Sequence, residues 1–287
     1  MNKIGIVDSS TKALSVSDDR GTSRRRKSSS PAAGAAPRAR VNLWVLGILI
    51  GVAALWQIAS STHLIDKKFV SDPLSILTSL GRIFTDATAL TAIGQTLYAV
   101  VVSFVLGAII GIVLGFFIGL NATVRAAYFP IVRVLMGIPT VVFLPLLILA
   151  FGLSTTAGIA FATLVSFVQV VVNVVAGIDL IDPKYYRVAH AFNASKWHLF
   201  FHVVVSGAAP GIFAGLYHGL RNSFIGVVIA QLYISAAGGV GFLVYLWTNN
   251  FQIDDAMALI LLMGAIVIIV GTSWKFVEAR VTSWQQR

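Results

Sequence analysis

The sequence predicts an all-α integral membrane protein with six transmembrane helices and both termini in the cytoplasm. Three observations predict this: low charge content, long apolar runs, and the placement of the basic residues. Only 11% of the 287 residues are charged and 57% are hydrophobic, whereas soluble domains carry roughly 25% charged residues to keep their surfaces dispersed. The apolar residues cluster in runs near the ~20 residues a helix needs to cross hydrocarbon. Such runs are too long for barrel strands, and only helices or closed barrels satisfy backbone groups in lipid. With the N-terminus inside, 17 of the 21 Lys and Arg residues fall on the cytoplasmic side and three on the outer side, with Arg221 inside a span. That is the positive-inside pattern, and it also accounts for the net charge of +10 without nucleic acid.

Residues 1–40 hold eight serines and nine of the basic residues, with almost no large apolar side chains after Leu14. They read as a disordered basic cytoplasmic tail. Arg24-Arg25-Arg26-Lys27 is not followed by an apolar run, so it reads as a solvated tail near anionic lipid rather than a twin-arginine signal. Span 1, residues 41–60, lies too far in for a cleaved signal peptide and is expected to stay as a helix. Span 2 covers 96–120. Span 3 covers 134–152 and contains Pro139 and Pro145. Spans 4, 5 and 6 cover 157–178, 211–234 and 257–276, and residues 281–287 form a cytoplasmic end.

Among the connections, the outer segment 61–95 contains Asp72-Pro73, a cap and first-turn proline for a short surface helix. His63 reads as a solvated loop residue. The outer segment 235–256 carries Gly238-Gly239-Val240-Gly241, which lacks the preceding strand and following lysine of a phosphate loop and reads as a turn or re-entrant bend. Asp254 and Asp255 fit either a surface turn or contact with a cation or an extracytoplasmic protein. The long inner loop, 179–210, reads as helix–turn–helix. Asp182-Pro183 starts the first helix, Asn193 closes it in the left-handed conformation, Ser195 caps the second, and Pro210 is placed to open span 5. Its exposed basic and aromatic residues suit either a docking knob on a partner or a connector with its aromatics among headgroups.

Within the spans, small residues recur every fourth position. Gly107, Gly111, Gly115 and Gly119 follow Ser103 in span 2; Gly207, Gly211, Gly215, Gly219 and Ser223 mark span 5. Such ladders let helix backbones approach closely in lipid and fit a sliding or dimer interface or static packing. Intramembrane polar residues are costly and so candidates for function. Gln169 and Asn173, His218 and Asn222, Arg221, and Gln231 fit either a water-accessible path, with Arg221 suited to an anionic solute, or interhelical hydrogen bonding. There is no cysteine, and no H-E-x-x-H helix, metal-spaced cluster or G-x-S-x-G elbow, so thiol, metal and hydrolytic chemistry have no foothold.

Residues Arg187 to Ile212 resemble the cytoplasmic EAA loop of binding-protein-dependent ABC importer permeases, roughly E-A-A-x-x-L-G-A-S-x-W-x-x-F-x-x-V-x-L-P-x-A-x-P-G-I. The match holds at Ala189, Ala194, Ser195, Trp197, Phe200, Val203, Ala208, Pro210, Gly211 and Ile212. It departs at Arg187 for Glu, Val188 for Ala, Phe192 for Leu, Asn193 for Gly, and Val205-Ser206 for Leu-Pro. Arg187 reverses a charge that usually meets the ATPase. Ile138-Pro139, Leu144-Pro145-Leu146, Phe151-Gly152, Asp72-Pro73 and Gly215-Leu216 resemble the nitrate/sulfonate/taurine branch, and the likeness extends over about residues 43–280.

The resemblance implies a permease subunit in a prokaryotic inner membrane, with a coupling helix between spans 4 and 5. It implies that Arg187, Ala189, His190, Asn193, Ala194, Ser195, Lys196, Trp197 and Phe200 contact a separate ATPase, which holds ATP and Mg. A second permease copy or relative and an extracytoplasmic solute-binding protein complete the implied assembly. The sequence agrees by lacking any Gly-Lys pair for a nucleotide loop. The alternatives are an ion-gradient-driven transporter, disfavoured because the six spans contain no Asp or Glu, and a membrane enzyme or assembly factor. Nitrate, sulfonate, taurine and a thiamine-precursor pyrimidine all stay open as solutes.

Overall fold

The computed structural model describes residues 38–62 and 70–281, so the tail over residues 1–37, His63 and residues 282–287 lie outside the described residues. The chain divides after Leu49 into two units. Of the first, the described part is the start of helix α1 (Arg38–Ser61); all other elements belong to the second. No strand occurs among the described residues.

Local chemistry sets where the helices begin. Helix α2 (Pro73–Ile83) starts where Asp72 accepts a hydrogen bond from the Ser75 amide at 3.3 Å. Helix α3 (Ala87–Leu120) begins earlier than span 2 suggested, because Asp86 caps it by accepting from the Thr88 amide at 2.9 Å. Its 34 residues amount to about 51 Å at ~1.5 Å per residue, so it overreaches the ~30 Å of hydrocarbon. Helix α4 (Ala122–Gly137) starts at Asn121, which accepts from the Thr123 and Val124 amides.

Span 3 differs from expectation. Instead of one crossing helix, α4 is followed by a 3-10 turn (Thr140–Phe143) and helix α5 (Leu144–Phe151), and the two directions differ by 100°. The Pro139 ring drives the preceding Ile138 out of the helical region, to ψ 130°. Pro145, in contrast, sits in the first turn of α5, where its missing N–H costs nothing.

Helix α6 (Thr155–Asp179) follows Gly152, at φ 73°, and is capped by Ser154. Helix α7 (Pro183–Ala191) and a short turn lead to helix α8 (Lys196–His198), a π-helical stretch (Leu199–Val205) and helix α9 (Ser206–Tyr233). These last three form one continuous apolar helix, Lys196–Tyr233. Pro210 therefore does not open span 5; it lies inside α9. The turn before α9 is absent because the chain stays helical from Lys196 by winding wider upstream of the proline. Helix α10 (Gly239–Asn249) is too short to cross, and helix α11 (Ile253–Val281) completes the chain.

Among the described residues four helices are long and apolar enough to span a bilayer: α3, α6, Lys196–Tyr233, and α11 to Phe276. The bent α4–α5 pair makes a fifth, and in α1 the apolar helix is the shorter Gly47–Ser61.

The centre of the second unit is α6, packed between α3 and α9. A Cβ on Gly107, Gly111, Gly115 or Gly119 would come within 2.5–2.7 Å of Ser166, Val170, Val174 or Ile178 respectively. From the other side, Gly211 meets Gly177, Gly215 meets Asn173, and Gly219 meets Val170 and Ser166. Both ladders thus face one helix of the same chain. Val170, Val171, Val174 and Val175 are fully buried there. In contrast, many large apolar residues of α3 and α11 point outward, among them Ile109, Val113, Phe117, Ile268 and Ile269, as lipid contact requires.

Candidate functional site

The segment from Asp182 to Val205 has two sides. Asp182 starts α7 by accepting from the Lys184 amide at 2.8 Å and pairs with the Lys184 ammonium at 3.0 Å. The amide and then the ammonium of Lys184 hold the Asp182 carboxyl below its ordinary value, and Asp182 raises that of Lys184. At the other end of α7 the chain reverses through Asn193, at φ 51°. The Ala194 amide donates to the Ala189 carbonyl at 2.9 Å, the six-to-one bond of a left-handed helix ending. Ser195 then caps α8 by accepting from the His198 amide at 3.2 Å.

The inner side of this hairpin is anchored. Val204 is buried, and Tyr186, Phe200 and Val203 pack with it against Val170, Val174, Ile178 and Ile181 of the bundle. Burial raises the Tyr186 phenol. The Phe200 ring meets Phe116 of α3 edge-on, 5.3 Å between centroids.

The outer side is open. Arg187, His190, Phe192, Lys196, Trp197, His198, Phe201 and His202 are exposed, Trp197 to 73%. The π winding, with its i→i+5 bonds, brings residues four apart nearly into line along the axis. Trp197 accordingly stacks on Phe201 (5.7 Å, 10° between planes) and His198 on His202 (3.9 Å, 12°). Two aromatic pairs, flanked by Arg187 and Lys196, form a surface with an apolar centre and a basic rim, the composition of a protein-contact patch. Of the residues expected to act here, Ala189 and Ala194 are half-buried, Asn193 and Ser195 shape the turn, and Phe200 faces the bundle.

The intramembrane polar residues do not converge on one point. Asn173 donates to the Gln169 carbonyl at 2.8 Å, and Asn222 to the His218 carbonyl at 2.9 Å. His218 is exposed, with its ring beside Tyr217. Gln231 is 3% exposed and belongs to another group. Its side-chain oxygen accepts from Thr96 at 2.9 Å and from the Gly241 amide at 3.2 Å, while Thr96 and Gln95 accept from the Val240 and Gly239 amides, both at 2.9 Å. Three side chains from α3 and α9 thus satisfy the free amides that open α10. Gln95 and Thr96 escaped the sequence reading because they are distant in sequence from the amides they serve.

Arg221 lines a cavity between α9 and α11 that also holds Lys275. In the sequence Lys275 carries only an orientation signal; the antiparallel pairing of the two helices places it on the same cavity as Arg221. Likewise, Arg125 at the start of α4 makes a bidentate ion pair with Asp179 at the end of α6, a tie between elements that no local motif announces. Among the described residues no cluster of three or more His, Asp or Glu could hold a metal.

The family model described as "Binding-protein-dependent transport system inner membrane component" matches residues 107–283. The chain is 27% identical over 244 residues to the taurine transport system permease protein TauC of Escherichia coli (strain K12), covering 83% of this chain and 88% of that protein. It is 23% identical over 245 residues to the putative aliphatic sulfonates transport permease protein SsuC of Bacillus subtilis (strain 168), covering 84% and 88%. It is 27% identical over 203 residues to the nitrate import permease protein NrtB of Leptolyngbya laminosa, covering 71% and 72%. In fold it is similar to a chain of the MetNI methionine ABC transporter, with a TM-score of 0.61 at 18% identity over 68% of this chain and 96% of that one. It is also similar to a chain of a bacterial alginate importer, with a TM-score of 0.60 at 15% identity over 85% and 98%.

Proposed function

Because this chain belongs to the family of binding-protein-dependent transport system inner membrane components, and is the permease subunit of an ATP-binding-cassette importer energised by a separate ATPase, we propose that it passes a small anion inward. The relatives named for taurine, aliphatic sulfonates and nitrate support a solute of that class. All three carry a compact oxyanion group. In this reading the bilayer holds six crossings with both termini inside, counting α1 and the bent α4–α5 pair, and the Asp182–Val205 hairpin faces the cytoplasm.

The observation that carries the reading is the two-sided hairpin: Phe200 and Val204 seated in the bundle, Trp197 and Phe201 stacked and open. A knob anchored in this way can pass movement of a docked ATPase to α6 and α9. Arg187, His190, Lys196 and Trp197 make the contact; Ala189, Asn193, Ala194 and Ser195 hold its shape; Phe200 transmits. The ATPase holds ATP and Mg. A second copy or a relative completes the pathway, and a solute-binding protein delivers from the outer side of a prokaryotic inner membrane. Gln169, Asn173, His218, Arg221 and Asn222 line the path, and Gln231 serves α10. Two states of the bundle must bind the docked ATPases differently for nucleotide to drive the cycle.

The test is uptake of labelled taurine by cells expressing the chain with its ATPase and binding protein. Uptake should need the ATPase and fall at least tenfold with Trp197→Ala while the chain stays folded in the membrane. Uptake that persists without the ATPase, driven by an ion gradient, would overturn the reading.

A further inference from the structure

Arg221 and Lys275 line one cavity of about 340 Å³, walled by Tyr217, Leu220, Phe224 and Thr272. It lies where α9 and α11 run antiparallel. Gly271 lies against the Tyr217 ring, and Trp274 donates its indole N–H to the Phe213 carbonyl at 3.2 Å. Long helical side chains lean toward the N-terminus of their own helix. In an antiparallel pair, Arg221 near the middle of α9 and Lys275 near the end of α11 therefore lean toward each other.

Neither cation makes an ion pair with a described residue. The nearest electron-rich group to the Lys275 ammonium is the Tyr217 ring, 5.9 Å from nitrogen to centroid, at the long end of a cation–π contact. Both side chains are exposed, but two cations lining one cavity repel each other, and no described residue offsets that repulsion. Arg125, Arg82 and Lys184 lie against Asp179, Asp255 and Asp182, while among the described cations with no such partner Arg221 and Lys275 share one cavity. Among the described residues none supplies the counter-charge, which leaves the place open to a ligand.

We propose that the α9–α11 cavity binds one oxyanion group, a phosphate or a sulfonate, bridged by the Arg221 guanidinium and the Lys275 ammonium. The planar fork of arginine matches two oxygens of such a group, and lysine supplies a point charge to a third. The apolar walls suit a ligand with a hydrocarbon portion. Lys275 sits about 33 Å along α11 from Ile253, close to the ~30 Å thickness of hydrocarbon, with Trp274 beside it as an interfacial anchor. The group can therefore arrive as a lipid headgroup phosphate or as a small free sulfonate. The site involves the Arg221 of the transport reading but does not rest on it, since a lipid phosphodiester would fill it whatever the solute.

The full chain, purified with its accompanying subunits in neutral detergent and without nucleotide, is incubated with dioctanoyl phosphatidylglycerol or with methanesulfonate. Phosphatidylcholine and chloride serve as controls, and bound mass is read by native mass spectrometry. Wild type should retain one equivalent of an anionic probe at least tenfold more tightly than Arg221→Gln or Lys275→Gln, and Lys275→Arg should keep it. Retention of the lipid alone assigns the group to a headgroup; retention of methanesulfonate alone assigns it to a free anion. Equal retention by wild type and both neutral variants, or none by any, overturns the proposal. So does loss of an accompanying subunit with no change in retention, which would place the counter-charge on a partner's carboxylate. Lys275→Gln, near a helix end, provides the reading should Arg221→Gln fail to fold. Because no uptake is measured, failure here leaves the transport reading intact, and failure of uptake leaves this one intact.

Discussion

Gly211 and Gly177 touch backbone to backbone: a Cβ on Gly211 would lie 2.5 Å from the Gly177 Cα and 2.7 Å from the Asn173 carbonyl oxygen. Since backbone atoms cannot rotate away, Gly211→Ala must push α9 off α6. Overpacking of this kind costs about 1–3 kcal/mol, and the expected outcome is a lowered thermal midpoint in detergent, read by loss of helical circular dichroism. Gly81 has nothing within 4 Å of its Cβ position and normal φ, so Gly81→Ala should raise stability by about 0.4–1 kcal/mol. Opposite shifts from one chemical change would verify that the ladder, rather than helix propensity, sets the requirement for glycine.

Gln231→Leu should leave the Gly241 amide and the Thr96 hydroxyl without their acceptor. An unsatisfied buried donor costs about 1–3 kcal/mol. Amide hydrogen exchange at Gly239–Gly241 should accelerate, while exchange in α6 stays as in wild type.

Phe116 and Phe200 tie the hairpin to α3 through an edge-on ring contact. A double-mutant cycle of Phe116→Leu and Phe200→Leu should return a coupling of about 0.5–1.5 kcal/mol. Trp197→Ala, on the open face, should change stability by no more than about 0.5 kcal/mol, even as it weakens recovery of the ATPase in pull-down.

Asp182 is exposed and its carboxyl is held below the ordinary value, first by the Lys184 amide and then by the Lys184 ammonium. A depressed carboxylate stabilises the fold above its unfolded value of about 3.9 and loses that contribution as pH falls through the lower folded value. Protection of α7 amides should therefore be greater in wild type than in Asp182→Asn at pH 7, and the difference should vanish as the pH drops below that range.

Much of this architecture is legible in the sequence because its causes are local. Asp72, Asp182, Asn193 and Ser195 stand where the helix ends occur, since each acts on amides or carbonyls within a few residues. The apolar runs locate α3, α6, α9 and α11 for the same reason. What escapes depends on geometry between elements. Pro139 marks an interruption, but the 100° turn between α4 and α5 also reflects the 3-10 turn that follows. Pro210 reads as a helix start, yet the chain winds a π segment upstream and continues through it. The service of Gln231 to α10 and the cavity shared by Arg221 and Lys275 are products of packing, which no window of sequence contains.

Val170 is clasped from both flanks, its side chain filling the notch over Gly111 and reaching Gly219. Displacing α6 along either neighbour by half a turn would drive its branched side chains out of the glycine notches and onto the residues between them. Over displacements that small the three helices move as a single lever, and the stroke is absorbed at its margins. The 100° elbow at Ile138–Pro139, whose polypeptide is held by fewer interlocking grooves, is where such a lever would pivot.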